Sequence, residues 1–134
     1  MRLFALSFAG VLVVASPGIS CESLHAFADQ GEAPVVAGRE AACTTSRVLG
    51  GGSSQDCFYR FEFRSNGAQS NFQLLAQQLS QCTEGEAKTE GATVNHPDSY
   101  DQIMAPVVGR FLSLSLKDKG ALGETLIVLR RTLP

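Results

Sequence analysis

The sequence predicts an α+β domain, with one main helix packed on a four- or five-stranded, mostly antiparallel sheet and disulfides bracing the whole. Three patterns carry this. Residues 56–64 alternate apolar and polar side chains with a period of two, residues 66–82 repeat apolar side chains at spacings of four and three, and Cys21, Cys43, Cys57 and Cys82 lie in a chain that begins with an export-like leader. The predicted order is strand, strand, helix, short strand or helix, strand, strand. Its apolar faces are all buried if the helix lies across the sheet in two layers.

The leader comes first. Arg2 supplies a positive charge, and residues 3–14 hold no charged residue and are dominated by Leu, Phe, Ala and Val. That run matches a signal-peptide core and falls short of the roughly 20 apolar residues that cross a bilayer. Ser16-Pro17-Gly18 closes it. We expect residues 1–20 to be a signal peptide, with cleavage after Ala15 or Ser20, or as late as Ala28 at the small-x-small match Ala26-Phe27-Ala28. Gly18-Ile19-Ser20-Cys21 is a poor lipoprotein signal. The expected location is secreted or periplasmic, with no stable membrane insertion after cleavage. Residues 29–42, rich in Gly, Ala and Glu, read as a flexible lead-in, with a short extended piece at Val35-Val36. Residues 43–134 read as a single globular domain.

Within that domain, Thr44, Thr45 and Val48 suit a strand over residues 43–49. Gly50-Gly51-Gly52-Ser53-Ser54 is a turn, and the strand over 56–64 completes a hairpin. Cys57, Tyr59, Phe61 and Phe63 point one way, and Phe58, Arg60, Glu62 and Arg64 the other. Ala68, Phe72, Leu75, Leu79 and Cys82 share one face of a helix over 66–82, capped by Ser65, Asn66 or Ser70. The charged and Gly-containing stretch 83–92 reads as a loop, and Val94 suits a short strand. Pro97 and Asp98 suit a helix start, Tyr100, Ile103 and Met104 give it an apolar face, and Pro106 ends it. Leu112, Leu114 and Leu116 alternate with Ser113, Ser115 and Lys117 in a strand over 107–117. Lys117-Asp118-Lys119-Gly120 is a turn, and residues 124–132 form the last strand, antiparallel to its predecessor. The expected core aromatics are Tyr59, Phe61, Phe63 and Phe72.

Composition excludes some functions. With 44% hydrophobic and 18% charged residues the chain is globular. The net charge is −2, so no basic surplus exists to neutralise phosphates, and nucleic-acid binding is not expected. No polybasic membrane patch is present. The four cysteines allow three pairings, and late cleavage that removes Cys21 would leave an odd thiol. Cys-x-x-Cys is absent, which disfavours thioredoxin-like exchange and paired zinc knuckles.

His96, Asp98 and Asp101 are the one close cluster of polar titratable groups of that kind. They suit a metal or an acid–base pair, although zinc needs three or four ligands and Asp98 equally suits a helix N-terminus. No cysteine nucleophile has a neighbouring base in sequence, and no Gly-x-Ser-x-Gly elbow occurs. The Gly50–Gly52 run lacks the lysine of a phosphate loop and precedes a strand. Arg130-Arg131 reads as a pair of solvated strand ends on opposite sheet faces. No cofactor is implied.

The outward face of the helix is unusual: Gln69, Gln73, Gln77, Gln78 and Gln81 carry no charge, where a solvated helix commonly shows i,i+4 ion pairs. Gln69, Gln73, Gln77 and Gln81 therefore form a candidate partner surface. The function expected is a small exported, non-catalytic module that binds a protein partner or supports an envelope or extracellular assembly. One alternative is a secreted enzyme inhibitor offering the 50–54 loop to a target cleft. The other is a small hydrolase or metal-dependent enzyme using His96, Asp98 and Asp101.

Overall fold

The structure is a computed structural model that describes residues 20–47, 49–91 and 100–133. Helix α1 (Cys21–Gln30) leads into the hairpin β1 (Ala42–Arg47) and β2 (Ser53–Glu62). Helix α2 (Asn66–Cys82) follows, then β3 (Lys88–Gly91), β4 (Tyr100–Val107), β5 (Arg110–Lys119), a single 3-10 turn (Gly120–Leu122) and β6 (Glu124–Thr132). The strands form one sheet in the order β1-β2-β6-β5-β4-β3, antiparallel throughout. The fold is α+β as the sequence predicts, but the described residues form two helices instead of one and six strands instead of four or five.

The second helix has local causes. Ser20 caps α1 by accepting from the Ser23 N–H, and Leu24, Phe27 and Ala28 fall on one face and are buried. Gly31 ends the helix at φ 75°, and its N–H donates to the Phe27 carbonyl. The positive φ favours glycine at Gly31, and a Cβ there would also have to push aside the Gln55 amide and the Arg131 guanidinium. This pattern is only ten residues long, and the longer uncharged apolar run at residues 3–14 draws the eye away from it.

Helix α2 has the bounds its spacing predicts. Ser65 caps it by accepting from the Ala68 N–H at 3.2 Å, and Ala68, Phe72, Leu75, Leu79 and Cys82 are its buried residues. Both helices cover the same face of the sheet. Leu24 of α1 and Leu75 and Leu79 of α2 meet Tyr59, Leu114 and Leu129 around one point, with Val36 beside them. The segment between α1 and β1 is tied to this layer: the Tyr59 hydroxyl donates to the Pro34 carbonyl, and Arg39 stacks 4.3 Å from the centre of the Phe61 ring.

Three further expectations are corrected. Residues 100–107 form a strand, not the end of a helix, with Ile103, Ala105 and Val107 buried at a period of two. Pro106 is compatible with this because β3 pairs only with residues 101–104 of β4. At Pro106 that side of β4 is an edge, where a missing N–H costs nothing. Its carbonyl accepts from the Glu84 N–H and the Thr83 hydroxyl, each at 3.0 Å. The 83–92 stretch contains β3, an edge strand whose charged composition resembles a loop. Phe63 lies beyond the end of β2, 36% exposed under the Arg64 guanidinium, while Phe27 of α1 is fully buried. The strand expected at Val94 lies outside the described residues.

Two disulfides fasten this arrangement. Cys21–Cys82 joins the start of α1 to the end of α2, and Cys43–Cys57 links directly opposed residues of β1 and β2. Their sequence separations are 61 and 14. Loop-closure entropy assigns about 4 kcal/mol to the longer and about 3 kcal/mol to the shorter. Replacing Cys21 and Cys82 by Ser should therefore lower the unfolding free energy more than replacing Cys43 and Cys57, by about 1 kcal/mol or more, since α1 also loses its tether. Urea titrations of the two double variants check the order, and equal or reversed losses would contradict it.

Candidate functional site

The face of the sheet opposite the helices carries a polar network built by strand register. Thr44, Asp56, Arg130, Ser113, Met104 and Lys88 stand side by side across the six strands. Asp56 is nearly buried and accepts four hydrogen bonds. Arg130 donates from Nε at 2.7 Å and Nη2 at 3.2 Å, and the Ser46 and Ser54 hydroxyls each donate at 2.9 Å. Burial pushes the Asp56 carboxyl pKa up, but the hydrogen bonds from Arg130, Ser46 and Ser54 and the Arg130 charge outweigh it and hold the group below its ordinary value.

Next to this pair, Gln102 of β4, Ser113, Ser115 and Lys117 of β5, and Val128 and Arg130 of β6 line a cleft of about 260 Å3. Ser113 and Ser115 point into it because they alternate with Leu112, Leu114 and Leu116, which face the helices. The Lys117 ammonium has no hydrogen bond or ion pair with any described residue. Its pKa is lowered, first by burial and then by the charges of Arg130 and Lys119, with Asp56 opposing.

On the helical side, Gln69, Gln73, Gln77 and Gln81 are all exposed. Gln73 and Gln77 line a groove of about 650 Å3 between α2 and the β3–β4 edge, together with Phe72, Leu74, Thr89 and Ile103. Gln69 and Gln81 lie outside it. None of the described residues lining the groove is charged, and Leu74 among them is 43% exposed.

The other sequence-derived candidates are dispersed. His96 and Asp98 lie outside the described residues, and Asp101 is exposed on β4 opposite Leu116. Among the described residues no three His, Cys, Asp or Glu side chains gather to hold a metal. All four cysteines are in disulfides. In the 50–54 loop, Gly50, Gly51 and Gly52 all take positive φ, whereas Ser53 and Ser54 belong to β2 and Ser54 is buried. Arg130 and Arg131 do lie on opposite faces, but neither is a solvated strand end. Arg131 donates to the Gln55 side chain at 2.6 Å and to the Ala28 carbonyl at 3.2 Å, at the C-terminus of α1.

The cleft residues escape a sequence reading. Alternation does place Ser113, Ser115 and Lys117 on the outer face. What puts Arg130 against Asp56, 74 residues away, is the β2–β6 pairing, which has no local signal. No family model matches the chain, and no curated protein or solved structure matches it significantly.

The depressed pKa of Asp56 sets a pH dependence. Its contribution to stability is complete above the unfolded value near 3.8 and is lost as pH falls through the lower folded value. Asp56→Asn should cost about 1–2 kcal/mol at neutral pH, a modest figure because the Arg130 side chain is 37% exposed. The gap between wild type and variant should narrow below pH 3.8. Denaturation curves at pH 7 and pH 3 measure it, and a gap that widens in acid would contradict the assignment.

Proposed function

We propose that the protein is an exported, non-catalytic module that binds a protein partner through the outward face of α2 and the groove beside it. The observation that carries this reading is a 17-residue helix without one charged residue, set along an uncharged groove. Interface centres are depleted in charge because desolvating an ion is costly. Glutamine amides both donate and accept hydrogen bonds, so they satisfy a partner's polar groups without that cost. Leu74, Phe72 and Ile103 supply the apolar contact. Two disulfides make the surface rigid, which reduces the entropy lost on binding, and they suit an oxidising compartment.

A photo-crosslinking residue at position 77, compared with one at position 60 on the opposite sheet face, tests this in the producing cells. The expected result is a discrete adduct from position 77, none from position 60, and loss of the adduct when Gln73→Glu is added to a chain whose disulfides still form. Adducts from both positions, or from neither, would contradict the reading.

A further inference from the structure

The cleft on the open face of the sheet has features that a solvated strand surface does not need. Three adjacent strands bring donors to one cleft: Lys117, Ser113 and Ser115 of β5, Gln102 of β4 and Arg130 of β6. Ser113 and Ser115 are buried in the sheet surface and line the cleft. Val128, also buried, supplies an apolar floor.

The charges are unevenly matched. Arg130 is already engaged by both oxygens of Asp56, which fixes its guanidinium plane and balances its charge. Lys117 is left as the cation with no ion-pair partner among the described residues, in a half-buried position. A singly charged oxyanion would neutralise it and accept from the two serines. A doubly charged one would leave an excess negative charge beside Asp56. The volume bounds the ligand's size: about 260 Å3 accommodates roughly eight or nine waters at ~30 Å3 each, less than the usual drug-sized pocket.

We propose that this cleft is a binding site for a small organic carboxylate, with the carboxylate held by Lys117, Ser113 and Ser115 and a short apolar tail lying on Val128. The Asp56–Arg130 pair positions the wall of the site, and Gln102 lies at its rim as a further donor. The site is on the opposite side of the sheet from the α2 groove, so it stands or falls independently of partner binding there.

The test is an amide-resolved NMR titration of the full disulfide-bonded protein with butanoate, butanamide and inorganic phosphate at constant ionic strength. Butanoate should produce saturable shifts centred on Ser113, Ser115 and Lys117. Neutral butanamide should produce none, and phosphate should bind more weakly. Lys117→Met should weaken butanoate by at least about tenfold. Because the Lys117 ammonium makes no hydrogen bond or ion pair with a described residue, that variant's spectrum away from the cleft should be unchanged. Ser115→Ala, a second variant with little effect on packing, should weaken it severalfold. The proposal is overturned if butanoate gives no saturable shift, if Lys117→Met binds it as well as wild type, or if phosphate binds as tightly.

Discussion

Covering one face of a six-stranded sheet takes more apolar surface than α2 alone provides, and the fold depends on how α1 is made to supply the rest. Alone, α1 is ten residues long, too short to be a stable helix in water. It is held at both ends. Cys21 is bonded to Cys82 at the far end of α2, and Arg131 of β6 donates to the Ala28 carbonyl where α1 ends. A cation at that terminus also complements the helix dipole. Gln55 completes the joint by donating to Gly31 and accepting from Arg131. So fixed, α1 buries Leu24, Phe27 and Ala28, and the Phe27 ring alone contributes on the order of 2–3 kcal/mol.

Placing both helices on one side leaves the two surfaces of the domain with different chemistry. The helical side shows glutamine amides and a shallow uncharged groove. On the open side, long side chains from neighbouring strands shelter polar groups, so each such group needs a partner. Asp56 has four donors, and among the described residues no buried side-chain nitrogen or oxygen lacks a hydrogen bond. Lys117 is the contrast, since its charge is half-buried without a matching anion from the described residues. The shallow groove beside α2 and the compact charged cleft are thus separated by the thickness of the sheet.

Much of this architecture is legible from local pattern. The bounds of α2, its buried face, the β1–β2 hairpin, the inward leucines of β5 and the last strand all follow from periodicity that needs no distant partner. Misreadings arise where two principles compete. Pro106 normally ends a helix, yet here it sits at a locally unpaired strand edge, so Ile103, Ala105 and Val107 were legible as a strand only by setting that rule aside. The charges of β3 mimic a loop because edge strands favour them. For the candidate site, the glutamine face was legible in the helical spacing, but its groove requires β3 and β4 beside it. The cleft was half legible. Its serines and Lys117 come from one strand, while the Arg130–Asp56 pair and the Cys21–Cys82 bond depend on tertiary register that no local pattern encodes.

The place of α1 in the folded domain is the central claim, and mapping of disulfide-linked peptides in the protein as isolated from its producing cells tests it most directly. The account predicts a linked peptide joining Cys21 to Cys82, a second joining Cys43 to Cys57, and no cysteine open to alkylation before reduction. A folded chain that begins at Asp29, with the Cys82 thiol labelled without reduction, would contradict it, because the sheet would then be stable without the helix that is said to complete its core.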